Sequence, residues 1–101
     1  MTRKRSTPRF EIRDPLLDAA PADTLDLHGF RASEVPAAVE AFLRRQRPGA
    51  IVHVITGRGR GSPGKPVLGP RVRALLAGQL NGLVGDYARD LSEGGYLVRR
   101  R

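Results

Sequence analysis

Two short segments hold the residues able to do chemistry. Leu25-Asp26-Leu27-His28-Gly29 places a carboxylate and an imidazole two residues apart. Thr56-Gly57-Arg58-Gly59-Arg60-Gly61-Ser62 interleaves three glycines with two arginines, and Lys65 follows. An imidazole titrates near neutral pH, and a neighbouring carboxylate can activate a nucleophile, hold a cation or simply orient the ring. Alternating glycines permit positive φ and close backbone approach, so that N–H groups converge on an anion. Arginines add bidentate contacts to phosphate oxygens. Asp26 and His28 are therefore the candidate catalytic residues. Thr56, Gly57, Arg58, Gly59, Arg60, Gly61, Ser62 and Lys65 are the candidate nucleic-acid or phosphate contacts.

The elements around these segments decide whether they meet. Thr24 to His28 alternates polar and apolar residues, the pattern of a half-buried strand, with Leu25 and Leu27 on one face and Asp26 and His28 on the other. Ser33 is a plausible N-cap for a helix whose apolar stripe is Val35, Val39, Phe42 and Leu43, with Pro36 in the first turn and Pro48-Gly49 as the stop. Ala50 to Ile55 reads as a second strand interrupted only by His53. After the glycine-arginine loop, Pro70, Val72, Leu75, Leu76 and Leu80 give a second amphipathic helix, with Leu68 packing just before it. Leu83 to Leu91 reads as a third strand, Glu93-Gly94-Gly95 as a turn, and Tyr96-Leu97-Val98 as a short return strand.

The order β-α-β-α-β-β predicts an α/β fold, a two-layer α+β sandwich with a mixed four-stranded sheet. Both helices fall on one face if the crossovers run the same way. Ligands of open α/β sheets bind outside the carboxyl ends of parallel strands. Both candidate segments lie at such ends, so the fold is expected to bring them together.

Each segment also has a plain structural reading. The glycine-arginine loop is then an ordinary turn with solvated arginines. His28 is a strand-end histidine held by hydrogen bonds, and Asp26 orients it. For His53, inside a strand, the structural reading is the favoured one. Gly59-Arg60-Gly61-Ser62-Pro63-Gly64-Lys65 has the spacing of a P-loop up to its lysine. Pro66 stands where a hydroxyl should hold Mg²⁺, and Pro63 and Pro66 remove donors, so no nucleotide cofactor is expected.

Composition narrows the partners. Eighteen Lys and Arg against 10 Asp and Glu give a net charge of +8 over 101 residues, which favours polyanions. No apolar run approaches the roughly 20 residues of a membrane span, and no membrane role is expected. The basic start, Met1-Thr2-Arg3-Lys4-Arg5-Ser6, leads into no h-region, so a signal peptide is not supported. Zero cysteines exclude disulfides and thiolate metal sites and are compatible with a reducing cytoplasm, the expected location. Five aromatics are few for a base-stacking platform, which favours contact with backbone over bases. Residues 1–22 read as a basic, disordered arm able to add non-specific affinity, and 23–101 as the folded domain.

Leu25-Asp26-Leu27-His28-Gly29, then Ile55-Thr56-Gly57-Arg58-Gly59 with Ser62, then Pro66-Val67-Leu68 and Glu93-Gly94-Gly95, together resemble the Smr (small MutS-related) domain over roughly residues 23–99. The resemblance implies a β-α-β-α-β-β fold similar to the C-terminal domain of translation initiation factor 3. It implies nucleic-acid binding and, in several members, endonuclease activity on DNA or on mRNA at stalled ribosomes. The family's Leu-Asp-Leu-His-Gly signature falls on residues 25–29 and its Gly-x-Gly signature on Gly57, Arg58 and Gly59. Many members carry His where this chain has Thr56. The chain looks like a stand-alone version, without the ATPase of MutS2-type proteins.

Two functions are thus expected to compete. One is an endonuclease acting on DNA or RNA, in DNA repair and recombination or in ribosome-associated mRNA cleavage, with a divalent cation (Mg or Mn) able to sit beside Asp26. The other is a non-catalytic adaptor that binds nucleic acid or the ribosome.

Overall fold

A computed structural model describes residues 20–57, 68–90 and 94–101. Residues 1–19, 58–67 and 91–93 lie outside them, and with them most of the expected basic arm and of the expected glycine-arginine loop. Six elements follow the expected order: β1 (Thr24–Asp26), α1 (Val35–Arg44), β2 (Ile51–Ile55), α2 (Leu68–Ala77), β3 (Val84–Arg89) and β4 (Gly95–Arg100).

The sheet order is β1-β2-β4-β3. β1 runs parallel to β2, with Leu25 opposite Val54. β4 is antiparallel to both neighbours, Val54 opposite Tyr96 and Tyr87 opposite Val98. β3 is thus parallel to β2 with β4 between them. The crossovers β1-α1-β2 and β2-α2-β3 step in the same direction across the sheet, so right-handed connections put both helices on one face. The core confirms this: Val39, Phe42 and Leu43 of α1 and Val72 and Leu76 of α2 pack with Val52, Val54 and Val98. Alternate strand residues, among them Asp26, His53, Ile55, Leu97 and Arg99, belong to the opposite face.

Element ends differ from the sequence reading for physical reasons. Ser33 is not an N-cap: it lies inside a 3₁₀ turn, Ala32–Glu34, and the Glu34 carboxylate accepts the Arg31 N–H at 2.8 Å instead. α1 stops at Arg44, and Gly49 makes the left-handed turn into β2 at φ +86°. Leu68 begins α2 rather than preceding it, and Leu80 lies beyond its end, although it is still buried. Leu83 belongs to a 3₁₀ turn before β3. β4 runs on through two arginines because both have partners: Arg99 Nε donates to Asp86 Oδ1, and Arg100 Nε to the Leu43 carbonyl, each at 2.8 Å. Gly95 opens β4 against β2 so closely that a Cβ there would sit 2.2 Å from the Val54 carbonyl oxygen. Only glycine fits.

Candidate functional site

β1 is short because its own side chain ends it. Leu27 N–H still donates to Ile55 O at 2.8 Å, continuing the ladder by one bond. The next N–H, that of His28, turns back to Asp26 Oδ1 at 3.0 Å. This Asx-type turn peels the chain off the sheet after the buried Leu27. It also brings the imidazole over the same oxygen, with His28 Nδ1 2.8 Å from Asp26 Oδ1.

The hydrogen bond from His28 N–H, followed by that from the ring, holds the Asp26 carboxyl below its ordinary value of 3.8. An ionised carboxylate can only accept, so Nδ1 carries the proton between them. In the neutral ring Nε2 is then the free, basic nitrogen. The His28 side chain is 75% exposed and that of Asp26 49%, so this nitrogen is open to a ligand. Phe30, 38% exposed, stands just beyond.

The second segment arrives at the same place. Gly57 takes φ +84°, and a Cβ there would lie 3.9 Å from the His28 Cβ. The two segments meet at the carboxyl ends of β1 and β2, as the topology requires. Their hydrogen bonds have no signal in the sequence. The Gly94 carbonyl accepts both Thr56 N–H at 2.8 Å and Gly57 N–H at 3.0 Å. The Gly57 N–H is therefore engaged and does not point into a phosphate cradle. Thr56 is only 8% exposed. Its hydroxyl sits 3.2 Å from Gly57 O and 3.3 Å from Gly94 O and donates into the turn. Both residues shape the site from beneath. Arg58, Gly59, Arg60, Gly61, Ser62 and Lys65 lie outside the described residues.

Asp90 and Gly94 are the residues that sequence reasoning missed. His53 Nε2 meets Asp90 Oδ2 at 2.7 Å, and Asp90 Oδ1 accepts the Gly94 N–H at 3.0 Å. Asp90 thus braces the turn whose carbonyl anchors Thr56 and Gly57. The structural reading of His53 holds. No local signal marks Asp90, which lies 37 positions from its histidine partner. Among the described residues no group of three or more His, Cys, Asp or Glu side chains converges as a metal site. No helix among them is long and apolar enough to cross a membrane.

Comparison with known proteins adds the family. An uncharacterized protein of Treponema pallidum (strain Nichols) is 36% identical over 66 residues, which cover 63% of this chain and 33% of that protein. The chain thus spans about a third of that relative's length. No solved structure matches the chain, so likeness to the initiation factor 3 domain rests on the sequence resemblance alone. The Smr domain, a module generally associated with nucleic acid, matches residues 25–95. That stretch runs from the strand carrying Asp26 to the glycine that β2 requires, and the chain belongs to the Smr domain family.

Proposed function

We propose that this Smr domain is an endonuclease for phosphodiesters of DNA or RNA. The observation that carries this reading is the Asp26–His28 contact, which orients an exposed imidazole beside Gly57. His28 Nε2 takes the proton from the attacking oxygen, a water or an RNA 2′-OH. That oxygen bonds to phosphorus, the bond to the leaving oxygen breaks, and solvent protonates the leaving group. Asp26 keeps Nδ1 protonated and stabilises the imidazolium as it forms. Arg58 and Arg60, with the backbone from Gly59 onward and Ser62 and Lys65, hold the phosphate and its developing charge. A divalent cation (Mg or Mn), if used, would be held by Asp26 and would neutralise charge on the phosphate. Stalled or collided ribosomes and damaged DNA are the substrate settings this reading brings into range, and the cytoplasm is its expected compartment.

One observation favours the adaptor alternative. Thr56 is buried and its hydroxyl is turned into the fold, so it offers no proton-transfer group beside His28. General acid/base catalysis by one group contributes about 10²–10⁴-fold, which leaves room for slow turnover.

The test is cleavage of labelled single-stranded RNA, duplex DNA and collided ribosomes, with and without EDTA, by the protein and by Asp26→Ala and His28→Ala. Cleavage lost in both variants supports the enzyme. A 2′,3′-cyclic phosphate product identifies 2′-OH attack. Cleavage that persists in both variants would overturn the assignment. Tight, salt-sensitive binding without cleavage by any form would establish the adaptor.

A further inference from the structure

The described arginines differ in what holds them. Arg44 pairs with Glu40, Arg45 with Asp23 and Arg99 with Asp86, while Arg100 and Arg101 donate to the carbonyls of Leu43 and Asn81. Arg73 of α2 and Arg89 of β3 are exposed and make no side-chain hydrogen bond or ion pair among the described residues. They line one groove of about 330 Å³ between these two elements, together with Pro70, Tyr87 and Tyr96. Two arginines without acidic partners among the described residues, along one concavity, offer positive charge to an anion.

The groove opens at the same end of the sheet as the Asp26–His28 pair. Arg89 is opposite Tyr96 on β4, the neighbouring residue, Gly95, is opposite Ile55 on β2, and Ile55 is opposite Asp26 on β1. A Cβ on Gly69, at the start of α2, would lie 3.8 Å from the Thr56 hydroxyl. The groove and the Asp26–His28 pair thus share the end of the sheet at which Thr56–Gly57 lie. The Tyr87 ring, half-buried, packs edge-to-face with Tyr96 at 6.1 Å between centroids, and its hydroxyl makes no hydrogen bond among the described residues. An aromatic ring that shares one groove with these two arginines offers a face to a base and charge to its flanking phosphates. A base can reach that ring only from an unpaired strand, because a duplex keeps its base faces stacked inside.

We propose that the groove between α2 and β3 is a nucleotide subsite for single-stranded nucleic acid, with a base on Tyr87 and the flanking phosphates on Arg73 and Arg89. This rests on the nucleic-acid reading of the domain and adds the strand class to it: unpaired rather than duplex.

The test is fluorescence anisotropy with labelled single-stranded RNA and DNA of mixed sequence and the matching duplexes, across a salt series. The protein is compared with Tyr87→Leu, Tyr87→Phe and the Arg73→Ala/Arg89→Ala pair, with Arg47→Ala as a control distant from the groove. Tyr87→Leu should weaken single-strand binding about tenfold while Tyr87→Phe restores it, since stacking needs the ring and not the hydroxyl. The double arginine variant should flatten the single-strand log–log salt slope by about 1.4, two phosphates' worth. Duplex binding should stay as in the parent. Because Tyr87 packs on the core, folding of each variant is checked by thermal melting, and the surface arginine pair tests the subsite independently of the tyrosine. Unchanged single-strand affinity and salt slope in the arginine pair would overturn the subsite while leaving nucleic-acid binding intact. Loss of single-strand and duplex binding to the same degree would also overturn it. Salt-sensitive binding of no nucleic acid by the parent protein would overturn both readings.

Discussion

The described residues include two histidine–aspartate contacts of nearly equal length, and they differ in exposure and in reach. Asp26–His28 is 2.8 Å and open to solvent, with side chains 49% and 75% exposed. His53–Asp90 is 2.7 Å, with side chains 24% and 9% exposed. The first pair is local, two residues apart on the end of a strand, and its free nitrogen faces outward. The second joins positions 37 apart, and its carboxylate is shared with the turn that holds Thr56 and Gly57. Pair chemistry alone therefore does not distinguish the two. The remaining hydrogen-bonding capacity does: outward in one case, consumed by the fold in the other.

Substitutions should separate the two pairs. His28→Ala should lower any cleavage rate by about 10²–10⁴-fold with the thermal midpoint unchanged, as a general acid/base on an exposed surface requires. His53→Ala should do the reverse, removing the ring that meets Asp90 Oδ2. Equal loss of activity at equal stability in both variants would erase the distinction.

Gly95→Ala is the next largest effect, because both atoms in conflict are backbone or Cβ and the strands must separate. A loss of about 3 kcal/mol is expected in urea denaturation. A neutral result would mean that β4 does not approach β2 as described. Asp90→Ala should cost about 1–3 kcal/mol by removing the carboxylate that meets the Gly94 N–H and the His53 ring. In a double-mutant cycle with His53→Ala the two losses should be less than additive. Additive losses would show that the pair is not coupled.

The smallest effect is that of pH on Asp26. Its folded carboxyl titrates below 3.8, so the stability it adds is complete above that value and is lost as pH falls through the lowered folded one. The carboxylate is half-exposed, and water screens the contribution. Asp26→Asn should therefore change acid unfolding only slightly. Its clearer signature is nitrogen NMR of His28, where the Nδ1–H form should dominate in the parent and lose that dominance in the variant. The same ring populations in both proteins would mean that Asp26 does not orient the imidazole.

Much of this was legible in the chain, because the decisive patterns are local. Alternation in Thr24–His28 and the spacing of Val35, Val39, Phe42 and Leu43 report which faces are apolar, and the connection lengths then restrict the sheet to a few topologies. That Asp26 and His28 face away from the core follows from the same alternation, and an Asx turn needs only neighbours in sequence. Tertiary structure alone decided what remote atoms do. Nothing local tells that Asp90 reaches His53, that the Gly94 carbonyl engages the Gly57 N–H, or that Gly95 must lack a Cβ. Nor does it tell that Arg73 and Arg89 line one groove without acidic partners among the described residues, while Arg44, Arg45 and Arg99 find theirs. The physical reason is range: periodicity records how a residue meets its own element, whereas a hydrogen bond or steric clash depends on where a distant backbone stops.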